Sequence, residues 1–219
     1  TSTATCFAGG RPMHDVVSEV LKRPGCRLVC LQDGSSLRVP AALFGQFPLR
    51  IGEAVDLEEY RRKLAAHELR FALEQSARLL ESGDRSVREL TDRLVQSGFS
   101  RGAAEQACQR LQEYGYLDDR RYAQGLVARL GKKYGDIRLR QELRRRGIAE
   151  DLIRETLQKG DEAQQLDVAI ALARKSLRGK QAEPAALYRK AYGALARRGY
   201  PPDLVRRALE AAFGEPEES

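Results

Sequence analysis

From residue 57 onward the apolar positions fall at helical spacing. Leu69, Leu73, Ala77 and Leu80 recur at three- and four-residue intervals and predict one face of a helix, which Gly83 ends. Ser86 and Glu89 form a Ser-x-x-Glu capping box at the start of the next helix. Leu90 and Leu94 share a face of that second helix, and Gly98 closes it. A third helix is predicted from about Arg101 to Glu113, with Ala104, Cys108 and Leu111 on its buried side and a stop at Gly115.

This triplet recurs. A Leu-x-x-x-Gly helix end appears at Leu94/Gly98, Leu143/Gly147 and Leu195/Gly199, with the glycines 49 and 52 residues apart. A large apolar residue follows each glycine (Phe99, Ile148, Tyr200), and another apolar position comes ten residues past it (Cys108, Leu157, Leu209). Units this small bury little alone and must stack on their neighbours. The expected fold is therefore mainly α, a tandem array of three three-helix repeats, elongated and curved, over residues 57–117, 118–160 and 161–213.

The chain ahead of the repeats has a different rhythm. Residues 26–40 read as two apolar runs around Asp33-Gly34, an Asp-Gly turn that suits a tight hairpin. An isolated hairpin is marginal in water, so it must lean on Leu43, Phe44, Phe47, Leu49 and Ile51. The result is a small N-terminal segment, 26–56, containing a β-hairpin. Residues 1–25 are expected to be a flexible leader, and 214–219 an acidic tail. Met13 is the only methionine; it reads either as the natural start or as part of an ordinary leader whose initiator was removed.

Composition narrows the function. The chain has 219 residues, 32% of them charged, no Trp, and no apolar run approaching the roughly 20 residues that span a bilayer. With no secretory signal visible, the cytoplasm is the expected compartment. Four cysteines and two histidines lack zinc-ligand spacing, so reduced thiols and no metal are expected. A net charge of +7 favours polyanionic partners. That charge is concentrated in the second unit, where Lys132, Lys133, Arg138, Arg140, Arg144, Arg145 and Arg146 face only Asp136 and Glu142 in the same stretch. With Leu139 and Leu143 turned to the core, Arg140 and Arg144 become like-charged neighbours, a small cost that an anionic partner would offset.

Asp118 and Asp119 resemble a catalytic or metal-binding pair, but they stand between Gly115 and Tyr122, where one of them would cap a helix start. No phosphate-binding glycine loop and no Ser/His/Asp set is present. The chain reads as a binding protein without enzymatic activity or cofactor. Tyr122 is assigned to the core and Tyr134 to a contact surface.

The segments GYLDDRRYA and KKYGDIRLRQELRRRGI closely resemble the central signature of RecX, the bacterial regulator of the RecA recombinase. DRSVREL resembles the first-repeat motif of that family, and LRIGEAVDLEEYRRKL its N-terminal segment; the resemblance covers roughly residues 27–212. Gly83 departs from an Arg common in the family, and Lys133 from a Gly. The resemblance implies a protein that lodges in the groove of the RecA–DNA filament and limits its growth or promotes its disassembly. RecA ATP hydrolysis, strand exchange and co-protease activity would fall. Lys132, Lys133, Tyr134, Arg138, Arg140, Arg144 and Arg145 are the expected contacts with RecA and with single- and double-stranded DNA. Asp118, Asp119, Tyr122, Gly135, Leu143 and Gly147 are the signature's structural residues, and a monomer is expected. The alternative is a sequence-specific DNA-binding transcriptional regulator built from helical repeats; a protein-only scaffold is a third reading.

Overall fold

Strand β1 (His14–Arg23) opens the computed structural model, which describes residues 14–158, 162–178 and 183–214. This strand replaces the flexible leader expected over residues 14–23. Its apolar residues come in adjacent pairs, Val16 with Val17 and Val20 with Leu21, and a register shift between Val17 and Glu19 changes the phase between the pairs, so no two-residue alternation runs through the strand. Expectations for residues 1–13, Met13 included, and for 215–219 lie outside the described residues.

The expected hairpin is present as β2 (Cys26–Leu31) and β3 (Ser36–Pro40), with Gly34 at φ +86° and the Asp33 carboxylate accepting the Ser35 amide at 2.7 Å. It is half of a larger sheet. β1 pairs antiparallel with β2 on one side and with β4 (Ala54–Asp56) on the other, giving the order β3-β2-β1-β4. Three or more strands with a covered face are what a hairpin needs for stability. Helix α1 (Ala41–Gln46) buries Leu43, and Leu49 is buried beyond it, whereas Ile51 is 67% exposed and supports nothing.

Helix α2 (Leu57–Glu81) starts on an Asp56 cap that accepts the Glu58 and Glu59 amides. Its buried stripe is Tyr60, Leu64, Ala72 and Ser76; Ala77, expected inside, is exposed. The face is rotated by one residue because small side chains occupy it. Ser76 satisfies its hydroxyl on the Ala72 carbonyl at 2.7 Å. Opposite, α4 (Arg101–Glu113) also presents small residues, Ala103, Ala104, Ala107 and Cys108. Between them in sequence lies α3 (Val87–Gln96), with Leu90 and Leu94 fully buried.

The chain divides into two compact units. One holds the described residues up to Arg85 together with Glu89–Leu117; the other holds Ser86–Arg88 and the described residues from Asp118 onward. The second unit contains two triplets: α5 (Asp119–Leu130), α6 (Asp136–Arg145) and α7 (Glu150–Gln158), then α8 (Glu162–Leu177), α9 (Pro184–Arg197) and α10 (Pro202–Gly214). Each triplet has its own apolar core, centred on Leu126, Leu139, Leu143 and Ile153 in the first and on Leu195, Val205 and Leu209 in the second.

The repeated Leu-x-x-x-Gly-apolar signature has one local cause. Gly98, Gly147 and Gly199 all have φ between +79° and +93°, the left-handed region that only glycine enters without strain. The next amide turns back to the leucine carbonyl, Phe99 to Leu94 at 3.2 Å, Ile148 to Leu143 at 3.1 Å and Tyr200 to Leu195 at 3.4 Å. Each glycine amide also donates three residues back, to Val95, Arg144 and Ala196. This is the Schellman helix end, and the apolar residue after the glycine is buried in all three cases.

Candidate functional site

The signature of the second repeat begins with its two acids, which do separate jobs. Asp118 caps α5, accepting the Arg120 and Arg121 amides at 2.8 and 3.1 Å. Asp119, one residue later, reaches the amide of Val87 at 2.9 Å, at the first turn of α3. A helix N-terminus is a favourable place for a carboxylate, so both acids act as caps rather than as a catalytic pair. Among the described residues no cluster of three His, Cys, Asp or Glu side chains is arranged to hold a metal.

The remaining signature residues fix the interior. Tyr122 is 8% exposed, and its hydroxyl accepts from the Arg146 guanidinium at 2.5 Å. Leu143 is fully buried. Gly135 donates its amide to the Arg198 carbonyl at 3.0 Å, and a Cβ on it would stand 2.6 Å from the Gly199 carbonyl oxygen. Gly147 meets the Arg88 side chain in the same close way.

The basic residues fall into two groups. Arg140 and Arg144 share one carboxylate: Arg140 donates to Glu150 at 2.7 Å, and Arg144 grips both of its oxygens at 2.7 and 3.0 Å. The like-charge pair is therefore bridged by one carboxylate, which offsets one of its two charges. Glu150 sits at the start of α7, six residues beyond Arg144, a spacing across the Gly147 turn that helix periodicity does not register. Hydrogen bonds from Arg144, then from Arg140, hold the Glu150 carboxyl below its ordinary range, and Arg144 is raised in return.

The second group lies toward α5. Arg145 and Arg146 both pair with Glu142, at 2.7 and 2.9 Å, and these bonds, Arg145 first, keep the Glu142 carboxyl below its ordinary range against the opposing effect of burial. Tyr134 is half-buried against the apolar core of the repeat, with the Arg138 guanidinium 5.7 Å above its ring. Lys132 and Lys133 are exposed and make no ion pair among the described residues. A cavity of about 290 Å³ opens between α5 and α6, and Arg129, Tyr134, Arg138, Glu142, Arg145 and Arg146 line it.

Of the expected contact residues, the structure thus gathers Tyr134, Arg138 and Arg145 at one hollow and sets Arg140 and Arg144 on Glu150. Arg129 was not anticipated, because it belongs to α5 and only packing brings it beside α6. Its signal was its position between Leu126 and Leu130, at the edge of the buried face.

Comparison with known proteins reproduces the triplets. Family models described as the first, second and third three-helix domains of RecX match residues 72–111, 118–157 and 162–209. The chain belongs to the RecX family. A regulatory protein RecX from Trichlorobacter lovleyi is 38% identical over 138 residues, covering 61% of this chain and 90% of that protein. One from Clostridium botulinum (strain Alaska E43 / Type E3) is 26% identical over 199 residues, covering 89% and 94%. A crystal structure of regulatory protein RecX superposes with a TM-score of 0.62 at 22% identity, over 92% of this chain and all of that one. Another, of RecX from Lactobacillus salivarius, gives 0.64 at 16% identity over 68% and 99%. At these identities the structures speak for the RecX fold alone. No helix among the described residues is long and apolar enough to cross a membrane.

Proposed function

We propose that this RecX-family protein is a non-enzymatic regulator of recombination and of the SOS response that binds the RecA–DNA filament in its groove. There it restrains RecA ATP hydrolysis, strand exchange and co-protease activity by limiting filament growth or promoting disassembly. The observation that carries the reading is the second repeat, where the family signature and the densest run of cations fall in the same stretch of chain and Lys132, Lys133, Arg138, Arg144 and Arg145 are exposed. Lys132, Lys133, Tyr134, Arg138, Arg140, Arg144 and Arg145 form the contact in this reading. Guanidinium and ammonium groups suit both DNA phosphates and acidic protein surface. The protein acts in the cytoplasm as a monomer, touching DNA directly.

The test is RecA ATP hydrolysis on single-stranded DNA, with the folded protein titrated well below one copy per RecA. Progressive loss of hydrolysis supports the reading. Unchanged hydrolysis at equimolar protein overturns it in favour of an operator-binding regulator, which would protect a defined DNA sequence instead.

A further inference from the structure

The hollow between α5 and α6 concentrates more positive charge than the fold neutralises. Four guanidinium groups, Arg129, Arg138, Arg145 and Arg146, line it against one carboxylate, Glu142. Glu142 takes Arg145 and Arg146. Arg129 and Arg138 are exposed and have no ion pair among the described residues. The core does not require these charges here, since the apolar side of the hollow is closed by Leu126 and Leu139.

At about 290 Å³ the cavity is at the lower bound of small-molecule sites, so it suits one compact group rather than a whole ligand. A phosphate matches it better than a carboxylate. A phosphodiester presents acceptor oxygens to several guanidinium forks together, and the hollow already satisfies two of its arginines with a carboxylate of its own. Tyr134 adds an aromatic wall held by Arg138, and Lys132 and Lys133 continue the charge along the α5–α6 loop, as a polymer of phosphates requires and a single ion does not.

We propose that this hollow is the seat of one backbone phosphate of a nucleic acid, with Arg129 and Arg138 as its charged contacts and Glu142 as a built-in competitor that tempers its affinity. The inference rests on the reading that the second repeat faces a DNA-bearing target. It shifts the principal anion contact from Arg140 and Arg144, which already share Glu150, to a pair that includes a residue of α5.

The experiment uses the full chain and fluorescent oligothymidylate, with a duplex of equal length as a second arm, and follows anisotropy across a salt series. The double variant R129Q/R138Q is expected to bind about tenfold more weakly. Its slope of log affinity against log salt should shrink by about 0.7 on the single strand or about 0.9 on the duplex, the loss of one phosphate contact. The arm that changes identifies the backbone that is seated. E142Q is expected to tighten binding about threefold to tenfold, the opposite of what a merely structural role predicts. R78Q/R189Q, two exposed arginines on α2 and α9, controls for net charge and should stay within twofold of the parent.

A parental slope in both arms for R129Q/R138Q overturns the proposal. So does a larger loss in R140Q/R144Q, or binding of poly-glutamate but not of DNA through Arg129 and Arg138. RecA hydrolysis by the parent protein is scored separately, so failure of the phosphate seat is distinguishable from failure of the regulatory reading.

Discussion

Gly135 and Gly199 meet backbone to backbone: a Cβ on Gly135 would stand 2.6 Å from the Gly199 carbonyl oxygen. The same junction carries two hydrogen bonds, Gly135 amide to Arg198 carbonyl and Ile137 amide to Gly199 carbonyl, both 3.0 Å. One repeat earlier, the Ser86 hydroxyl donates to the Arg146 carbonyl beside Gly147. Ser86 and Gly135 are 49 residues apart, the step that also separates Gly98 from Gly147. The opening turn of one repeat's middle helix thus docks on the Schellman end of the next, once by side chain and once by backbone.

Gly135→Ala is accordingly expected to cost about 1–3 kcal/mol by overpacking that junction. Gly199→Ala should cost at least as much, because φ +80° adds left-handed strain. Chemical denaturation of the two variants, with Gly102→Ala in open space as the control, measures this.

The two acids of the signature should separate by mutation. Asp118→Ala removes the α5 cap and is expected to lower stability by about 1 kcal/mol. Asp119→Ala removes an acceptor from Val87 and should cost a similar amount. Its mark is local: amide exchange in the first turn of α3 should accelerate in the Asp119 variant and not in the Asp118 variant, and Asp119→Asn should restore most of the protection.

Tyr60 donates its hydroxyl to the Phe47 carbonyl at 2.7 Å, and burial first, then the charge of Glu53, pushes its pKa up to about 12. A folded-state pKa above the unfolded one gives stability that is complete below the unfolded value, about 10, and is lost as pH rises through the folded one. Stability should therefore fall between about pH 10 and pH 12, and Tyr60→Phe should remove that part of the alkaline transition. Titrated denaturation of the parent and the variant compares the two slopes.

Glu142 and Glu150 predict the acid limb. Their arginine partners depress both carboxyls, so their contribution is present above the ordinary glutamate range and lost as pH falls through the depressed folded-state values. Glu150→Gln should blunt that acid loss. By releasing Arg140 and Arg144 it should also steepen the salt dependence of polyanion binding by about 0.7 for each phosphate gained on a single strand. Unfolding midpoints against pH and anisotropy against salt read the two effects independently.

The triplets and their glycine ends were legible because they are local. A Schellman end needs a glycine at one position and apolar residues at fixed offsets, and its hydrogen bonds close within six residues. The run Arg101–Glu113 was legible as a helix for the same reason. β1 was not, since a bulge destroyed its period, and the buried face of α2 was displaced because Ala72 and Ser76 carry little hydrophobic signal.

The candidate site divides along the same line. Sequence alone determined that cations crowd residues 132–146, that Leu139 and Leu143 turn inward beneath them, and that the acids before Tyr122 sit at a helix start. Which arginines are spent inside the fold was decided only by tertiary structure. Glu150 reaches Arg140 and Arg144 across a turn, Glu142 gathers Arg145 and Arg146, and Arg129 joins Arg138 from another helix. Charge is a property of residues, but its neutralisation depends on distances between helices, and those are set by how the apolar faces pack.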